Sequence, residues 1–195
     1  MPNVPVCATF ADPILASRHG GRLRQSRGRI IPYLSPLLAI LVGIVHAALA
    51  PVIVVGGVKP NLVLVAVVLV TLLVGLLPGM IWAFTAGLTA NLLVGAPLGS
   101  IPLAMLVVSV MVAGGARVLG RVGWVYPILA TFVASIVADL IALGIAQLVT
   151  DAGSATLPVD LILAAATLNA AIAGLLLYPA RLVARRYGAD EALAW

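Results

Sequence analysis

Between Lys59 and Arg117 the chain carries no ionisable side chain. A membrane crossing takes roughly 20 apolar residues to span about 30 Å of hydrocarbon. The tract is therefore long enough for three crossings, and Pro78-Gly79 and Gly95-Ala96-Pro97 are the points that divide it. The same pattern on either side predicts six helices in all, at 34–55, 60–77, 79–95, 98–116, 124–149 and 158–180. Residues 1–30 hold Pro, Gly, Ser and Arg without helical periodicity and read as a flexible basic tail. Residues 31–187 form one transmembrane domain in this reading, and 188–195 a second short tail. The expected fold is an all-α integral membrane protein, a bundle of six transmembrane helices. Ala48-Leu49-Ala50 resembles a signal-peptidase site, but the apolar run is too long for a signal peptide and Pro51 would follow the cut. A retained helix is expected.

Composition strengthens the membrane reading. The chain is 63% hydrophobic and 9% charged, against about 25% charged in soluble domains. In lipid, so large an apolar surface is the coat that faces the solvent. Of the eleven basic residues, Arg18, Arg22, Arg24, Arg27 and Arg29 precede the first apolar run, and Arg181, Arg185 and Arg186 close the last. No aromatic residues interleave with them to stack on bases, so nucleic acid is not the expected partner. Such clusters beside a span set orientation and touch anionic lipid. With the N-terminus in the cytoplasm, every basic residue except Lys59 falls on the cytoplasmic side, so both termini are expected inside.

Three features stand out within the spans. Gly79, Ala83, Gly87, Asn91 and Gly95 recur every four residues along one face of the third helix. Ala39, Gly43 and Ala47 make a similar stripe on the first, and Ala166, Ala170 and Gly174 on the sixth. Small residues let helix backbones approach closely, either inside this chain or against a partner. Asp139 is the one acid deep in a span, and Thr131 and Ser135 precede it on the same face. An intramembrane carboxylate costs at least about 2.5 kcal/mol to insert. It serves either a proton or ion relay or an interhelical hydrogen bond, with Asn169 at similar depth.

Catalytic templates find no footing. Acid–base chemistry would need paired carboxylates, or a His beside a nucleophile, in facing spans. No Gly-rich loop followed by Lys-Ser/Thr is present for nucleotide phosphates. Cys7 is alone, and His19 and His46 are too far apart to build a metal site. Neither an enzyme nor a cofactor is expected.

Val58-Lys59-Pro60-Asn61-Leu62 and the stretch Ala86-Gly87-Leu88-Thr89-Ala90-Asn91-Leu92-Leu93-Val94-Gly95-Ala96-Pro97-Leu98-Gly99 resemble motifs of the rod shape-determining MreD family. Ser135-Ile136-Val137-Ala138-Asp139, Leu168-Asn169 and Tyr178-Pro179-Ala180-Arg181 continue the likeness, which covers residues 34–187. Pro60, Asn61, Leu98 and Gly99 are the motif positions. Asn91 departs from it, because the family usually has Asp there.

The resemblance implies a non-enzymatic inner-membrane scaffold of the bacterial elongation and peptidoglycan-synthesis complex. Its implied partners are MreC, the actin-like MreB, the glycosyltransferase RodA and a penicillin-binding transpeptidase, besides membrane lipid. The family's fold is similar to substrate-binding subunits of energy-coupling-factor vitamin transporters. The alternative expectation is therefore such a subunit, which would need a polar and aromatic pocket near the outer surface.

Overall fold

The computed structural model describes residues 31–49, 52–54, 57–118, 123–150 and 158–186. The two tails, the loop around Asp151, Ala50 of the cleavage-like site, and Arg121 lie outside the described residues. The chain divides into two compact units, Met1–Ser35 and Pro36–Trp195. Of the first, only residues 31–35 are described, and they are helical.

Among the described residues six helices follow one another: α1 (Ile31–Leu49), α2 (Leu62–Leu73), α3 (Leu76–Val94), α4 (Ser100–Val118), α5 (Val125–Thr150) and α6 (Val159–Arg186). α1 is described to Leu49, and residues 52–54 are not helical, so the helix ends short of the predicted 55.

The first turn of the tract also lies elsewhere than Pro78-Gly79. α2 ends at Leu73, and Gly75, at φ +124°, turns the chain into α3. Only glycine adopts that backbone at no steric cost. Pro78 then sits in the first turn of α3, where its missing N–H has no helical partner to lose. The second turn falls where predicted: Gly95 caps α3 at φ +72°, its amide 3.2 Å from the Asn91 carbonyl.

Among the described residues, four helices, α3 to α6, are long and apolar enough to cross a membrane. All six expected helices are present, four of them of spanning length. α2 has 12 residues and reaches only about 18 Å at 1.5 Å per residue. It occupies the middle of the arrangement and packs on α3, α4, α5 and α6. Val63, Leu64, Val65, Val67, Val68 and Leu72 are all buried in its flanks. Only the stripe Leu62, Ala66, Val70 and Leu73 is half-buried, so most of α2 faces protein rather than lipid and its length is set by its neighbours.

The sequence-adjacent pairs α3–α4, α4–α5 and α5–α6 close around α2. The outer faces of these helices expose large apolar residues such as Leu92, Val107, Leu148 and Leu175, which suits a lipid surround. α1 is peripheral. It meets α3 through Gly43, where a Cβ would come 2.9 Å from the Ala86 carbonyl oxygen and from the Thr89 Cβ.

Candidate functional site

The small-residue stripes lie against neighbours within the chain over most of their length. A Cβ on Gly79 would run into the Thr71 side chain of α2, and one on Gly87 would stand 2.9 Å from the Cα of Pro102 in α4. Ala39 and Ala83 are fully buried. Ala47 is half-buried, and Gly95 is exposed with open space where its Cβ would be. On α6, Ala166 and Ala170 are buried, and Gly174 faces Ile128 of α5.

Two polar knots sit inside this packing. The first is local. Asn91, 1% exposed, donates from Nδ2 to the Ala96 carbonyl (2.9 Å) and accepts at Oδ1 from the Ile101 amide (3.1 Å). That amide lies in the first turn of α4, which has no helical acceptor of its own. Ser100 closes the knot by donating to the Pro97 carbonyl at 2.8 Å. Asn91 thus uses a donor and an acceptor at once, and an aspartate could not supply the donor. Leu98 and Gly99 shape the turn: Leu98 is exposed and Gly99 adopts φ +88°.

The second knot joins three helices distant in sequence. Asn61 caps α2, its Oδ1 accepting from the Leu64 amide at 3.0 Å. Its own backbone N–H donates to Asn169 Oδ1 on α6 at 2.8 Å. Asn169 Nδ2 donates in turn to Ser135 Oγ on α5, also at 2.8 Å. A backbone amide can only donate, so this bond also fixes which way the Asn169 amide faces. Asn169 and Ser135 are each 1% exposed.

The depth of this knot explains the short α2. Asn169 lies ten residues into α6, about 15 Å from its start. Asn61 is bonded to it, so α2 begins partway along α6 and has only the rest of the bundle to cross. The buried Val58 and Pro60 lead into it. On α5 the inward face changes character at the same level: Ala138 is buried, while Ala142, one turn further on, is exposed.

Asp139 stands at that boundary, one turn beyond Ser135, with Oδ2 buried and no hydrogen-bond partner. Thr131, earlier on the track, satisfies itself on the Pro127 carbonyl. Of the expected polar track, then, the structure brings Ser135 and Asn169 together and leaves Asp139 outside the bond. A carboxylate that makes no such bond contributes little to the fold. Asp139→Asn is therefore expected to leave thermal stability unchanged or slightly raised, measured on the purified protein in detergent. Proton flux in liposomes that vanished in this variant would instead assign a relay.

Sequence reasoning missed one cluster, at the end of the bundle where α4 finishes and α5 begins. Arg181 donates from a terminal guanidinium nitrogen to the Gly123 carbonyl (2.8 Å) and lies 5.0 Å over the Trp124 ring. Trp124 stacks with Tyr178, centroids 6.5 Å apart and planes at 21°. The available signal was the position of Trp124, Tyr178 and Arg181 at the ends of apolar runs, where interfacial anchors concentrate.

Comparison with known proteins gives one result. The family model described as rod shape-determining protein MreD matches residues 27–186, most of the chain. No match was found among curated proteins or among solved structures. MreD proteins are non-enzymatic, multi-pass membrane proteins, in keeping with four helices of spanning length and an apolar exterior. This chain belongs to the MreD family of rod shape-determining proteins.

Proposed function

We propose that the chain is the membrane scaffold of the cell-elongation complex. It docks MreC and links it to cytoplasmic MreB, to RodA and to a penicillin-binding transpeptidase. The family match over residues 27–186 carries this reading. The use of polar groups inside the bundle supports it: Asn61, Asn91, Ser100, Ser135 and Asn169 all bond within the chain. The basic residues at both ends of the sequence favour cytoplasmic termini, within reach of MreB.

Most of the small-residue surface is occupied by this chain's own helices. Ala47 on α1 and Gly95 at the end of α3 keep surface open to a partner. Both lie at the end of the bundle beyond the Gly43–Thr89 contact. The membrane anchor of MreC docks there in this proposal, where small residues let a further helix come close. A photo-crosslinking residue placed at Ala47 or at the exposed Leu93 tests it in growing rods. Crosslinks to MreC are expected at these two sites and not at Val118, at the far end of α4. Equal crosslinking at all three sites, or none in cells that keep their rod shape, would refute this docking face.

A further inference from the structure

The arginine and aromatic cluster beside Gly123 has a charge that no described acidic residue balances. Arg181 is held by the Gly123 carbonyl and the Trp124 ring. Arg117 is in the last turn of α4. That end of α4 meets the start of α5: the Tyr126 hydroxyl bonds the Val112 carbonyl at 2.8 Å, and a Cβ on Gly115 would touch that same hydroxyl. The two acidic residues among those described are remote. Asp160 is in the first turn of α6, at the opposite end from Arg181, and Asp139 lies in mid-helix.

The geometry around Arg181 is that of a prepared anion site. One bond to Gly123 and the stacking on Trp124 orient the guanidinium plane. Its other N–H groups bond to no described residue. A planar fork with free donors matches phosphate oxygens in pairs. Trp124 and Tyr178, both half-exposed, lie at the end of spans α5 and α6. There, amphipathic rings sit at headgroup level. An anion arriving at this depth comes from the membrane itself.

We propose that Arg181 and Arg117, framed by Trp124 and Tyr178, bind the headgroup phosphate of an anionic phospholipid. The site fastens the cytoplasmic ends of α4, α5 and α6 to the bilayer surface. It is independent of MreC docking, which lies at the other end of the bundle.

The test uses the full-length protein in detergent with equal amounts of phosphatidylglycerol and phosphatidylcholine, read by native mass spectrometry. Each arginine near the surface is expected to add roughly a five-fold preference for the anionic lipid. The five arginines of residues 1–30 add to the total, so the difference between variants is the readout. Arg117→Gln/Arg181→Gln is expected to lose roughly twenty-fold of the preference. Arg181→Lys, which keeps the charge and gives up the fork, retains part of it and guards against loss through misfolding. Equal retention of both lipids by the wild type, or a double variant with the wild-type preference, overturns the proposal. So does a double variant that keeps its lipid preference and sheds a co-purifying protein, which would make the surface a protein-docking face.

Discussion

Gly87→Leu is expected to break the α3–α4 pair and with it the bundle. A Cβ at this position meets the Cα of Pro102 at 2.9 Å and its backbone nitrogen at 3.2 Å. Backbone cannot swing aside as a side chain can, and Pro102 sits in the first turn of α4, just beyond the knot that ties Asn91 to Ile101. Overpacking of a core costs about 1–3 kcal/mol, and a leucine adds three further carbons beyond the atom that already clashes. A loss at or above the top of that range is expected, seen as a lower unfolding midpoint in detergent. Gly114→Leu is the control. Gly114 is exposed on the next helix with nothing within 4 Å of a Cβ, and its substitution is expected to change the midpoint little. Equal effects of the two would mean that α3 and α4 do not approach as closely as the structure shows.

Asn169→Leu is expected to be nearly as damaging for a different reason. It removes two hydrogen bonds and leaves the part-buried Asn61 amide and the buried Ser135 hydroxyl without their partner. Hydrogen bonds between membrane helices average about 0.6 kcal/mol, so the lost bonds alone would cost little. Each stranded buried group adds about 1–3 kcal/mol, and this term decides the outcome. Ser135→Ala strands only the Asn169 amide nitrogen and is expected to cost less. In the double variant the two costs are not additive, because Ser135 has already lost its partner. Additive costs would show that Asn169 and Ser135 act separately.

How far the structure could be read in advance differs from helix to helix. The α3–α4 turn was legible because Gly95-Ala96-Pro97 couples a left-handed cap to a proline. The α2–α3 turn was not, because Pro78-Gly79 looks like punctuation but is tolerated at the start of a helix, while the decisive Gly75 is single. The place of α2 at the centre was hidden by chemistry. In a membrane protein, lipid and protein interior are both apolar, so a mostly enclosed helix and a lipid-facing one have the same composition. Its length was hidden for the same reason, since Leu62–Leu73 runs without a break into Val74.

Of the polar residues, Asn91 meets partners five and ten positions away and was open to local reasoning. Asn61 and Asn169 are separated by 108 residues, and no spacing rule joins them. Asp139 attracted attention for its rarity, yet the bond that organises the bundle passes through its neighbour Ser135.

The account turns on α2 beginning partway along the bundle, with the Asn61 amide bonded to Asn169 of α6. Selective labelling tests this directly, because the chain has only four asparagines: Asn3, Asn61, Asn91 and Asn169. Solid-state NMR of protein carrying ¹³C,¹⁵N-asparagine in lipid bilayers would report on them without altering the sequence. A through-space cross-peak between the Asn61 backbone nitrogen and the Asn169 side-chain carbonyl carbon is predicted, and it should vanish in Asn169→Leu. Absence of that peak in well-folded wild-type protein would contradict the half-length central helix on which the account is built.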